Sequence, residues 1–142
     1  MRYLVNKMTK KEEELQKKVI QFQILESNLK MLQERAGIIN QRIEEFQKTR
    51  TAIEELKIIK PNKALIPLGS GNFVFGSVEN SKEIIVGIGS GIAIKKKRED
   101  ALKILDDKIT ETADVLNDIT KKSQAFIQSL EKIQFEIEEL QT

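Results

Sequence analysis

The 142 residues contain no cysteine and no histidine. Without cysteine there is neither a disulfide framework nor a thiolate metal site. Without histidine the usual zinc ligand and the usual general base near neutral pH are both missing. Most hydrolytic and metal chemistry therefore lacks its reagents, and neither a metal nor any other cofactor is expected. Tryptophan is absent, tyrosine occurs once, and there are only two prolines. So few helix breakers favour long uninterrupted helices over a loop-rich sandwich. No apolar run reaches the roughly 18 residues of a membrane span, and the opening MRYLVNKMTKKEEE has no signal-peptide core. A soluble cytoplasmic chain with no membrane partner is the expectation.

What the sequence does have is charge, 32% of it, against 39% apolar residues. That is polar for a globular core. Residues 1–57 carry a net charge of +3, residues 58–98 of +5 and residues 99–142 of −6. The opposite signs of the two outer blocks suit their lying against each other. A basic centre would also suit nucleic acid, but a solvated charged edge is the commoner case, and no nucleic-acid partner is expected.

Apolar residues recur at alternating steps of four and three. The first series runs Leu15, Phe22, Leu25, Leu29, Leu32, Ala36, Ile39, Ile43, Phe46, Ile53, broken only by Lys18 and Arg50. The second runs Leu102, Leu105, Ile109, Leu116, Ile119, Phe126, Leu130, Ile133, Ile137, Leu140, with Thr112 and Ser123 in the gaps. A mean spacing of 3.5 residues keeps one stripe facing a partner helix, as a left-handed coiled coil requires. The spacing predicts two helices, about 5–59 and 98–141, each roughly 60 to 70 Å long. The short segment between them suggests an antiparallel pair. Matching the ends sets Ile53 opposite Leu102 and Leu15 opposite Leu140, and then Ala36 meets Ile119, Ile43 meets Thr112 and Leu32 meets Ser123. Several apolar residues lie off this seam, among them Tyr3, Val5, Val19, Ile20, Ile24, Ile127 and Phe135. On this pairing most of them cluster toward the ends remote from the connecting segment.

In that segment the period changes to two. Lys60-Pro61-Asn62 stops the first helix, since proline excludes helix at the residue before it and offers no amide. Four short strands follow, ALIPL (64–68), NFVFGSV (72–78), EIIVGI (83–88) and IAIKK (92–96), so the β region spans about 64–96. Gly69-Ser70-Gly71 and Gly89-Ser90-Gly91 each supply the positive φ of a tight hairpin turn. Pro67 suits a strand edge. Isolated hairpins are marginal in water, and a two-helix rod cannot cover both their edges and their apolar faces, so they call for other subunits. Gly89-Ser90-Gly91 also invites comparison with a phosphate loop. That loop must lead into a helix N-terminus, whereas this one leads into Ile92-Ala93-Ile94, a strand. Lys95 to Arg98 read as a charged strand end that limits edge pairing, and Glu99 and Asp100 as favourable acids in the first turn of the second helix.

Helix, two hairpins and helix in about 140 residues, with IPLGSGNFVFGSVENSKEIIVGIGSGIAI at the centre, resembles the prefoldin alpha-subunit family. The resemblance spans essentially the whole chain and makes it a single prefoldin-like domain. The fold it implies is mainly α with a small β part: a long antiparallel two-helix coiled coil whose tandem hairpins join an oligomeric β-barrel platform. It implies a hexamer of two alpha and four beta subunits that holds unfolded polypeptides without ATP and delivers them to a group II chaperonin. By that resemblance Phe73, Phe75, Val86, Ile88, Ile92 and Ile94 build the platform, and Met1, Leu4, Met8, Val19, Ile20, Phe22, Ile133, Phe135, Ile137 and Leu140 face the client. Met1 and Met8 suit varied partners through their flexibility.

Other readings fit the helices. A structural scaffold would use the same seam and hold no client. A DNA-associated coiled coil would use the basic centre and bind duplex with a steep salt dependence. An enzyme fits least, because Asp106-Asp107 and Glu138-Glu139 are adjacent on a helix and diverge.

Overall fold

A computed structural model describes residues 2–58 and 63–142, with only the backbone described at Val5, Asn6 and Met8. The elements are α1 (Arg2–Glu55), β1 (Ala64–Gly69), β2 (Asn72–Gly76), β3 (Glu83–Gly89), β4 (Ile92–Lys97) and α2 (Arg98–Gln141). Helix α1 ends earlier than the expected residue 59. Leu56 N still bonds Ala52 O, but Lys57 N bonds Glu54 O at 3.2 Å and Ile58 N bonds Glu55 O at 3.0 Å. The last turn thus tightens to a three-residue step, a common way to use up terminal carbonyls. The predicted stop, Lys60-Pro61-Asn62, lies outside the described residues. Helix α2 starts at Arg98 and carries Glu99 and Asp100 in its first turn, where they complement the helix dipole.

The chain divides into two compact units, Met1–Gln41 with Ala113–Thr142, and Arg42–Thr112. The seam is legible in both. Between Leu15 and Ile53 the positions of α1 that leave the surface are the twelve seam positions and no others. All twelve seam positions of α2 are likewise buried or half-buried. The polar breaks in the α1 seam are answered by acids. In the first unit Lys18 Nζ meets Glu136 Oε2 at 2.5 Å, and in the second Arg50 Nε meets Asp106 Oδ1 at 2.5 Å. The end-matched register sets Ile137 opposite Lys18 and Leu105 opposite Arg50, so each acid sits one position from the seam, where a long basic side chain reaches it. In the second unit Ile53 also clusters with Leu102, so contacts that advance along α1 retreat along α2 and the helices run antiparallel there.

Burial is sparse. Among the described residues only Ile53, Ala101, Leu102 and Ile119 are buried. Ile53, Ala101 and Leu102 cluster, and Ile84, Val86 and Leu105 pack against them. The second hairpin therefore docks on its own helices through Ile84 and Val86.

The two hairpins are separate two-stranded antiparallel sheets. In the first, Leu65 pairs with Phe75, Ile66 with Val74 and Pro67 with Phe73. In the second, Ile84 pairs with Lys96, Val86 with Ile94 and Gly87 with Ala93. Each has a register shift just before its turn, between Pro67 and Gly69 and between Gly87 and Gly89. The turn residues are alike too: Ser70 and Gly71 have φ of 52° and 79°, Ser90 and Gly91 of 54° and 73°. Positive φ at both central residues is what a type I′ turn demands, and it follows the strand twist. Strand β2 stops two residues short of the expected Val78, because its partner begins at Ala64, opposite Gly76, and offers nothing to pair beyond.

Candidate interaction surfaces

The expected residues at the helix ends fall into two groups. Leu4, Val19, Ile20 and Phe135 are exposed. Phe22, Ile133, Ile137 and Leu140 are half-buried seam positions, which folding already uses in part. Met1 lies outside the described residues, as does the side chain of Met8. Tyr3 adds a further exposed aromatic near the start of α1. Lys18 and Glu136 close this unit with a half-buried ion pair. The hydrogen bond from Lys18 holds the Glu136 carboxyl below the usual carboxylate range, against the opposing effect of partial burial.

The hairpin residues also divide. Leu65, Pro67, Phe73 and Phe75 share one face of the first hairpin, through their cross-strand pairing, and all are exposed, Phe75 by 86%. Residues 64–78 contain no charge, so nothing in this hairpin marks a solvent face. In the second hairpin Ile88 and Ile92 are exposed, while Val86 and Ile94 are half-buried. Val86 packs in part against the chain's own small core. Ile85, on the opposite face and 68% exposed, was not among the expected platform residues, and neither were Leu65 and Leu68. The alternation of strand residues gave signal enough for Leu65, since it fixes Leu65 and Phe75 on one face.

Arg98 also departs from expectation. Its side chain is only 14% exposed. Its backbone N donates to Lys82 O at 2.9 Å and its Nη1 to Ser81 O at 3.0 Å. Among the described residues its Nε is buried with no acceptor. Arg98 is thus a latch between the start of α2 and the loop that joins the hairpins, and not a solvated strand end. Next to the core, Arg50 is bracketed by Asp106 and Glu54, which raise its pKa and keep the guanidinium charged. Lys108 Nζ lies 6.0 Å from the centroid of the Phe46 ring, at the edge of a small apolar cleft shared by Ile53, Ile84 and Leu105.

Among the described residues no group of acidic side chains could hold a metal, and no helix is long and apolar enough to cross a membrane. The Gly89-Ser90-Gly91 loop is spent on a turn between two strands. What the molecule offers is exposed apolar surface on helices and hairpins. Comparison with known proteins decides the family: the Prefoldin family model (Prefoldin subunit) matches residues 25–142.

The chain belongs to the prefoldin family. It is a prefoldin chaperone subunit, similar along most of its length to alpha subunits of archaea. It is 29% identical over 127 residues to prefoldin subunit alpha of Pyrococcus horikoshii, covering 88% of this chain and 83% of that one. It is 31% identical over 106 residues to prefoldin subunit alpha of Thermococcus onnurineus, covering 73% and 72%. The cryo-EM structure of filamentous PFD from Methanocaldococcus jannaschii matches with a TM-score of 0.71 at 20% identity, over 85% of this chain and 98% of that one. That likeness carries the fold. The prefoldin match begins at Leu25, so Leu4, Val19, Ile20 and Phe22 precede it.

Proposed function

We propose that this chain is the alpha-type subunit of an ATP-independent holdase. In this reading its hairpins assemble with beta-type prefoldin subunits, two alpha with four beta, into a β-barrel platform. Phe73, Phe75, Val86, Ile88, Ile92 and Ile94 contribute there. The free helix ends hold non-native polypeptides in the cytoplasm and pass them to a group II chaperonin. One observation carries the proposal: apolar side chains stay in water on both kinds of element, Leu65, Phe73 and Phe75 on a sheet and Leu4, Ile20 and Phe135 on helices. Patches of this kind mark surfaces meant for partners. Weak apolar contacts repeated on several arms reach useful affinity through avidity and need no shaped pocket.

The test is light scattering from a chemically unfolded model protein, without ATP, in the presence of this chain mixed with a purified beta-type subunit. Suppression near stoichiometric ratio is the expected result. A verified mixed oligomer that leaves aggregation unchanged would make the coiled coil a scaffold.

A further inference from the structure

One recess of the unit Arg42–Thr112 has walls from three elements. Phe46 and Ile53 come from α1, Ile85 and Gly87 from β3, and Leu105 and Lys108 from α2, around a volume of about 230 Å³. It lies beside the small core of Ile53, Ala101 and Leu102. Lys108 is the only charged residue in its lining. The ammonium sits 6.0 Å from the Phe46 ring centroid, at the outer limit of a cation–π contact. Among the described residues Lys108 makes no ion pair, while Asp106 and Glu54 of the same unit are taken by Arg50. A half-buried cation without a carboxylate gains from one that arrives with a partner.

We infer that this recess is an anchor pocket for the beta-type subunit, and that it takes one bulky apolar side chain flanked by a carboxylate that pairs with Lys108. Size selects a side chain as the occupant. Apolar cavities of roughly 150 Å³ hold a benzene ring, whereas pockets for small-molecule ligands run to about 300–1,000 Å³. The recess thus suits one ring or branched chain of a larger partner. Ile85, a lining residue that is 68% exposed, and Ile88 and Ile92 farther along the hairpin extend the apolar contact beyond it. Charge selects against a second copy of this chain. Residues 58–98 hold seven cations and only two acids, Glu79 and Glu83, and Glu83 is taken by Lys95 at 2.8 Å. The hairpins of a second copy would bring repulsion to Lys108 and no counter-charge, so the acid must come from a different chain. A side chain seated in a desolvated pocket is where binding energy concentrates in an interface. The inference rests on the assembly part of the holdase reading and names what the partner must present.

The experiment titrates the full chain with a purified beta-type subunit and follows the complex by sedimentation velocity. Gly87→Val adds bulk to the wall of the recess. A Cβ at Gly87 meets nothing within 4 Å and valine suits a strand, so the fold should be kept. Lys108→Glu reverses the charge, and Lys108→Met removes it while keeping an apolar stem. Circular dichroism should show unchanged helicity in all three. Gly87→Val and Lys108→Glu should each weaken association about tenfold or more, and Lys108→Met less, with a smaller salt dependence than the unaltered chain. Since the chain has no cysteine, Ile85→Cys gives a unique thiol for a photo-cross-linker. The beta-type peptide captured there should carry a bulky apolar residue beside Asp or Glu. Unaltered association in either Gly87→Val or Lys108→Glu, or a captured peptide without an acid, would overturn the inference and leave the holdase reading standing. Capture of a second copy of this chain would overturn it in favour of self-association. Failure of the unaltered chain to associate with the beta-type subunit would instead sink the assembly reading, and this inference with it.

Discussion

The unit Arg42–Thr112 and the unit of Met1–Gln41 with Ala113–Thr142 follow one seam rule, but their burial differs. Of the four buried residues among those described, Ile53, Ala101 and Leu102 belong to the first and Ile119 alone to the second. Two helices cover each other on one stripe only, so seam side chains such as Leu25 and Phe126 stay half-buried. A third layer changes this. Where β3 lays Ile84 and Val86 on the helices, a small core closes. The lesson is that the heptad pattern sets which residues meet, and the sheet sets how fully they leave water.

Truncation at the two kinds of buried position sharpens this comparison most. Leu102→Ala should cost about 3 kcal/mol, since it opens a cavity among Ile53, Ala101, Ile84 and Val86, and Ile119→Ala about 2 kcal/mol, since its surroundings are half-buried helix residues that can close in on the space. Guanidinium unfolding followed by circular dichroism reads both, and equal costs would break the contrast between the units. Next in size is Arg98→Ala, at about 1 kcal/mol, because the Nη1 bond to Ser81 O is lost while the backbone bond to Lys82 O stays. Hydrogen exchange in residues 77–82 should quicken in that variant, and unchanged protection would reduce Arg98 to a bystander. In the arm unit, Gly37 is an exposed mid-helix residue, and a methyl group in place of its hydrogen would meet nothing within 4 Å. Gly37→Ala should therefore stabilise by up to about 1 kcal/mol, read as a higher melting temperature.

The smallest effect concerns Glu136. Its folded pKa lies below the ordinary value of 4.5, so the pair with Lys18 adds stability above that value and loses it as pH falls through the lowered folded pKa. Glu136→Gln should melt slightly lower than the unaltered protein at neutral pH. The gap should close on acidification below the usual glutamate range, and a gap that persists there would assign the effect to packing.

Much of this was legible in the sequence. Spacing alone picked out the twelve α1 positions that leave the surface from Leu15 to Ile53, including the anomalous Lys18 and Arg50. The strands came within two residues, because Gly-Ser-Gly between β-rich runs has few alternatives. What stayed hidden was tertiary. Phe73 and Val86 alternate in the same way along their strands, and no local signal says that only the second meets its own helices. Arg98 looked like one more cation in a basic run, since its acceptors, Ser81 O and Lys82 O, are backbone atoms that composition cannot reveal. Among the arm residues, Phe22, Ile133, Ile137 and Leu140 were both seam and candidate contact from the start, and only the exposure of their neighbours separates the two roles.

The matched polar breaks in the seam carry a consequence for alignment. If α2 slid by one heptad in one direction, Lys18 would come to Ser129 while Arg50 met Glu99. Sliding the other way would bring Arg50 to Ala113. Either slip breaks at least one of the two cross-helix ion pairs, leaving Arg50 in the second case with only Glu54 of its own helix, while an all-leucine seam would tolerate both at little cost. Lys18 and Arg50 thus act as two teeth of a key, giving up some adhesion so that two long and repetitive helices can close in one position only.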